Sequence, residues 1–237
     1  MLTFGITTTT KMASLCLFDD IKGVLCEISA EVSKTHSTTI IDQIDKMLEW
    51  SGKSLEDIDN VIVSVGPGSF TGVRIAIATV KGMFHGRDVS IFEVNELEAL
   101  AYQSVSVLNT LTDKKIISMI DSNKEKIYYN EYIYSSGNLK STSEATVIKL
   151  DDLLNKILNS EDEYILVGDA GLHYKEKIKN VVPGKVTFIE DVNLKITAST
   201  FIEMLKRDIL RKVDIHNIKP YYLEKSQAER DKEVGNV

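Results

Sequence analysis

Apolar residues recur along this chain in two rhythms, every second position and every third or fourth. The rhythms alternate in the same order twice. In the first pass, Leu2, Phe4 and Ile6 alternate as a strand, followed by four threonines. Strands are predicted over 13–18 and 23–28, with Asp19 and Asp20 in the turn between them. Over 37–50, Ile40, Ile41, Ile44, Met47 and Leu48 cover about 120° of a helix circumference, an ordinary amphipathic face. Ser54 and Asp57 have the spacing of a capping box before a strand over 61–65. A glycine turn, a helix over 73–86, a strand over 89–94 and a helix over 96–107 complete the pass.

The second pass has strands over 115–121 and 127–134 and a third near 145–149. Asp151 is predicted to cap a helix to 158, before a strand over 164–167 and a glycine loop over 168–171. A helix to about residue 179, a strand over 186–189 and a helix over 197–211 follow. Three strands, helix, strand, glycine loop and helix in each half predict an α/β protein of two mixed sheets flanked by helices. The halves divide as 1–108 and 109–220, with a polar hinge near 106–113 and no linker rich in Pro, Gly or Ser. Residues 221–237 form a polar tail with little to bury, expected to be flexible in the isolated chain.

The densest local signal is the turn after residue 65, where Gly66, Pro67, Gly68, Ser69, Phe70, Thr71 and Gly72 join strand to helix. Glycine reaches positive φ without penalty and proline fixes its own φ, so the turn is tight. Ser69 or Thr71 could cap the helix. Such a junction presents backbone N–H groups to an anion, although the spacing fits neither GxGxxG nor a Walker loop. Two readings stand: an anion or nucleotide contact through Gly66, Gly68, Ser69, Thr71 and Gly72, or a structural turn that lets helix and strand approach. Asp121, ending the corresponding strand of the second half, is likewise a cleft carboxylate or the cap of the turn at Ser122 and Asn123.

Arg74, Lys81 and His85 fall within a stripe roughly 40° wide on the helix over 73–86. Nearly all its other residues are apolar or small, so it is covered on several sides, by its own fold or by another chain.

The totals narrow the chemistry. A chain of 237 residues with net charge −7 is a poor nucleic-acid binder by itself, since phosphate contacts need clustered Lys and Arg. Cys16 and Cys26 lack CxxC spacing and read as reduced core residues of a cytoplasmic protein. The N-terminus shows neither signal peptide nor membrane span. The four histidines have no metal-ligand spacing. Ser69 lacks the GxSxG flanks of a nucleophile elbow. Tyr128, Tyr129, Tyr132 and Tyr134 on one strand divide between its faces, which fits packing rather than base stacking.

The run GPGSFTGVRIAIATVKG, residues 66–82, resembles the signature of the TsaB (YeaZ) family of bacterial proteins required for threonylcarbamoyladenosine in tRNA. The similarity extends to Ile6–Thr9, where the family has Ile-Asp-Ser/Thr-Ser/Thr. It extends also to His36-Ser37, to 97–101, to Ile120-Asp121 with Tyr128, and to the segments 220–223 and 225–230. It is dense in the first hundred residues and sparse from 135 to 219. The resemblance implies the duplicated actin, Hsp70 and sugar-kinase fold and a non-catalytic partner of TsaD, with TsaE as a further ATP-using partner and tRNA reached only through the complex. Nucleotide enzymes of that fold carry an acidic residue at the end of the first strand, where Thr7 stands here, and a hydroxyl does not supply a carboxylate's charge to Mg²⁺. TsaD carries a metal-binding histidine pair with no counterpart over 38–50. No resident cofactor is implied, ATP or ADP being expected only at the partner interface. The family's contact surface lies on its first two helices. That places Ile40, Ile44, Met47, Arg74, Ile77, Val80, Lys81 and Phe84 at an interface with TsaD, or in a homodimer when the chain is alone. The rival reading is an ATP-dependent kinase-like enzyme with Asp121 and the 66–72 loop at its phosphates.

Overall fold

A computed structural model describes residues 1–31, 36–108, 114–189 and 195–225. In the first half, β1 (Leu2–Thr7), β2 (Met12–Asp19) and β3 (Gly23–Glu31) form an antiparallel meander. After α1 (Ile40–Ser51), β4 (Asn60–Gly66) pairs parallel with β1; after α2 (Phe70–Phe84), β5 (Ser90–Asn95) pairs parallel with β4. Helix α3 (Glu96–Leu108) then leads away. The second half repeats this. β6 (Lys114–Asp121) and β7 (Lys126–Ser135) are antiparallel, and both β8 (Asn138–Ser141) and β9 (Thr146–Lys149) pair with β7. After α4 (Leu150–Asn159), β10 (Tyr164–Val167) runs parallel to β6. After α5 (Asp169–His173) and α6 (Lys175–Val181), β11 (Val186–Phe188) runs parallel to β10. The chain closes with α7 (Ser199–Lys206) and β12 (Arg211–Val213). This is the duplicated α/β arrangement expected from the order of elements.

Three apolar clusters stack the layers. Ile40, Ile44 and Met47 of α1 and Val73, Ile77, Val80 and Phe84 of α2 pack with Phe4, Ile6, Leu15 and Leu17 on one face of the first sheet. Leu97 and Leu100 of α3 and Phe201 of α7 fill the layer between the sheets, with Cys16, Ile62, Ile116 and Ile120. Leu153, Leu154 and Ile157 of α4 and Ile178 of α6 cover the outer face of the second sheet. Each such side chain contributes about 1.5–3 kcal/mol when fully buried. Cys16 and Cys26 are both free, in different layers. Tyr128 and Tyr132 lie in the central layer and Tyr129 in the outer one, the division that alternation demands.

Several boundaries differ from the sequence reading. Helix α1 begins at Ile40, after a 3-10 turn over His36–Thr38. The third strand expected near 145–149 is β9, and an additional short strand, β8, precedes it because Ser136 and Gly137 adopt positive φ and return the chain at once along β7. Asp151 does not cap α4: Lys149 holds the cap position, and Asp151 lies in the first turn, paired with Lys177 at 2.9 Å. The glycine loop at 168–171 is itself the start of α5, and a break at Tyr174 separates it from α6. The helix over 197–211 stops at Lys206 because Asp208 has φ 56°, and residues 211–213 become a strand on the first sheet beside β5. Helix α7 packs on β1 and β2, so residues 199–218 return to the first half instead of completing the second. Residues 109–113 of the expected hinge, and 226–237 of the tail, lie outside the described residues.

Candidate interdomain site

The loop at 66–72 is shaped by its neighbour, the threonine turn after β1. Ser69 N–H donates to Thr9 O at 2.6 Å, and Thr8 Oγ1 donates to Gly72 O at 2.6 Å. A Cβ on Gly68 would stand 2.3 Å from Thr9 O, and one on Gly72 would stand 1.9 Å from Thr8 O. These glycines therefore serve the close approach of two backbones. Ser69 caps α2, its Oγ accepting from Gly72 N–H at 3.2 Å, while Thr71 is exposed and takes no such part. The amides of Ser69 and Gly72 thus bond within the protein, as the structural reading of the turn requires.

Where the two sheets meet, Thr9, Lys11, Gly68, Ser69, Thr71, Asp121, Lys124, Lys126, Asp169 and Glu224 line a cleft of about 780 Å³. A smaller cavity of about 280 Å³ shares Thr10, Lys11, Asp121 and Asp169 with it and has Leu100, Leu172 and Ile196 in its wall. Asp121 Oδ1 accepts from Asn123 N–H at 2.9 Å, the turn cap expected of a strand-end aspartate, and Tyr174 OH lies 3.4 Å from the same oxygen. Asp121 thus caps its turn and also lines the cleft. Asp169, opening α5, accepts from Asp121 N–H at 3.0 Å. Burial pushes its carboxyl up to about 6, and the charge of Asp121 adds to the shift. Among the described residues no three His, Cys, Asp or Glu side chains converge to hold a metal ion.

Behind Thr7 stands a carboxylate that the sequence reading passed over. Glu96 is fully buried, and Thr7 Oγ1 lies 3.1 Å from each of its oxygens. Burial pushes this group up to about 7 against the pull of the Ser64, Thr9 and Thr7 hydroxyls, with the charge of Asp169 adding to the rise. The folded state therefore keeps a proton that the unfolded chain gives up near pH 4.5. Its contribution favours folding at low pH and is lost as pH rises from 4.5 to about 7. The full cost is on the order of 3 kcal/mol. Glu96→Gln is expected to flatten the dependence of the urea midpoint on pH and to be the more stable protein at about pH 8. An unchanged slope would assign that titration to other groups.

The structure separates the residues expected at a partner surface. Ile40, Ile44, Met47, Ile77, Val80 and Phe84 are at most 6% exposed and face their own sheet. They are core, because the most apolar arc of α2 is the one that the sheet covers. Arg74 is exposed and Lys81 half-buried, as their stripe requires. Ala78, Gly82 and His85 lie on the same outer side of α2, with Ile41 and Trp50 exposed on α1.

Glu96 and Asp169 are the site residues that sequence reasoning missed. Asp169 follows Gly168 in the second-half counterpart of the 66–72 loop, so aligning the two halves would have found it. Glu96 directly follows a predicted strand and carries no such mark.

Residues 16–228 match the family model described as "TsaD: tRNA N6-adenosine threonylcarbamoyltransferase". The tRNA threonylcarbamoyladenosine biosynthesis protein TsaB of Buchnera aphidicola subsp. Baizongia pistaciae is 28% identical over 198 residues, 83% of this chain and 86% of that protein. The protein of the same name from Bacillus subtilis is 26% identical over 207 residues, 87% of each chain. The solved structure of YeaZ from Pseudomonas aeruginosa has the same fold, with a TM-score of 0.73 at 19% identity, covering 94% of this chain and 99% of that one.

Proposed function

Because the chain belongs to the TsaD family of tRNA N6-adenosine threonylcarbamoyltransferases and, within it, to the TsaB (YeaZ) proteins, we propose that it is a non-catalytic partner of a TsaD-like catalytic subunit. Its part in threonylcarbamoyladenosine biosynthesis follows from that membership. The observation that carries the non-catalytic reading is Thr7. Its hydroxyl ends β1 with no exposed surface and faces Glu96, so the place of a metal-handling carboxylate holds a neutral group committed to the interior. Glu96 itself is sealed from solvent.

The docking surface of this reading is the outer side of α1 and α2, where Ala78 and Gly82 let another helix approach and Ile41 offers apolar area. A TsaE-like ATPase, a homodimer in the absence of TsaD, tRNA contact through the assembled complex, and ATP or ADP held only where partners meet belong to the same proposal. Isolated chain is expected to hydrolyse ATP no faster than its Thr7→Ala variant in a phosphate-release assay with Mg²⁺.

One observation favours a kinase-like reading instead. Asp121 and Asp169 both reach the cleft beside Lys11. Mg²⁺-dependent turnover that disappears in Asp121→Ala would select it.

A further inference from the structure

The segment 220–225 crosses from one half of the molecule to the other. At its first end, Tyr221 N–H donates to Val65 O at 2.8 Å, beside the glycine loop. The Tyr222 ring stacks on Phe70 with centroids 4.6 Å apart, and its hydroxyl accepts from Arg74 Nε at 2.7 Å. The Arg74 guanidinium also lies 5.6 Å from the centre of the same ring. Leu223 then packs against the central apolar layer. At the far end, Glu224 Oε1 accepts from Ser122 Oγ at 2.8 Å and from Tyr128 OH at 3.3 Å, with Lys126 Nζ 3.8 Å from its other oxygen. Polar composition had marked residues 221–225 as flexible; side-chain contacts with both halves hold them in place.

The two ends differ in what they touch. Arg74 and Tyr222 are exposed on the outer side of α2, whereas Glu224 forms part of the rim of the 780 Å³ cleft. Only one residue, Leu223, separates the two anchors. So short a tether cannot leave one anchor and relax without disturbing the other, since consecutive Cα atoms are fixed about 3.8 Å apart. The first anchor includes an exposed aromatic stack and a phenol bond, and the second a half-buried carboxylate that accepts from hydroxyls and pairs with Lys126. Together they hold the segment across the rim.

We propose that residues 220–225 are a latch, a single unit whose hold on α2 and hold on the β6–β7 turn are made and lost together. A group that draws Arg74 away from Tyr222 thereby loosens the rim of the interdomain cleft. The latch rests on contacts within this chain and stands whether or not a partner docks on α2.

Hydrogen exchange of the full chain tests it, read amide by amide. Arg74→Ala alters an exposed side chain and is expected to speed exchange at Tyr221 by about tenfold, and at the far end by a similar factor at Ser122, whose N–H donates to Lys126 O at 3.0 Å. Glu224→Ala, which removes the oxygens that accept from Ser122 and Tyr128, is expected to do the same at Tyr221, at the opposite end. Tyr222→Phe, which keeps the stack and removes only the hydroxyl, should reproduce the Arg74→Ala pattern. Amides of β4, such as Val63, should keep their rates in all three, which also shows that each variant is folded. If each substitution speeds exchange only at its own end, or if Tyr221 exchanges freely in the unsubstituted chain, there is no latch.

Discussion

Ala78→Glu is expected to weaken association with a TsaD-like subunit by at least about 100-fold while leaving the unfolding midpoint unchanged. Ala78 is exposed on α2, on the same side as Arg74 and Gly82, and glutamate is a good helix former. The isolated chain therefore has no reason to lose stability. In a close helix contact the longer, charged side chain holds the helices apart and is desolvated, and that cost falls on the complex alone. Val80→Asp is the contrasting variant. Val80 has no exposed surface and faces the first sheet, so a buried unpaired carboxylate there should unfold the chain itself. Sedimentation velocity and circular dichroism on both variants separate the two outcomes. Normal assembly by folded Ala78→Glu would move the docking surface away from α2.

Gly72→Ala is expected to destabilise the fold by about 3–5 kcal/mol, the upper end for a single substitution. The added Cβ would stand 1.9 Å from Thr8 O and 3.0 Å from Thr8 C, backbone atoms that cannot swing aside. Relief requires the threonine turn to retreat, which strains the bonds from Ser69 N–H to Thr9 O and from Thr8 Oγ1 to Gly72 O. Gly82→Ala is the matched control: nothing lies within 4 Å of its Cβ position, and alanine is favoured over glycine in a helix interior by roughly 0.5–1 kcal/mol. Urea midpoints of the two variants should move in opposite directions. Equal, small shifts would show that the loop and the threonine turn part easily.

Periodicity made the layered fold legible because each core helix presents one apolar arc and each buried strand an apolar run. It could not say which arc of α2 meets the sheet. Ile77, Val80 and Phe84 share an arc that fits a sheet or a partner equally well, and only the sheet's position decides between them. The expected helix runs on to Arg211, and no strand is expected after it, because nothing local marks Arg211-Lys212-Val213 as a strand; the open edge of β5 supplies the hydrogen bonds. The site was half legible. Strand, glycine turn and helix pointed to the 66–72 loop, and the strand-end position pointed to Asp121. Glu96 was hidden because its role depends on Thr7, 89 residues away, reaching it across a buried junction. The anchors of residues 221–225 were hidden likewise, since Tyr222 and Arg74 meet only through the fold.

The central claim is that this chain contributes a surface, not reacting groups. Its most direct test is formation of threonylcarbamoyladenosine in tRNA by the assembled complex, with only this subunit varied. Asp121→Asn keeps an oxygen to cap the turn at Asn123 and removes the cleft charge. The account predicts that complexes carrying it form product at the unsubstituted rate, while Ala78→Glu yields no complex and no product. Complexes that assemble fully with Asp121→Asn and still fail to modify tRNA would contradict it.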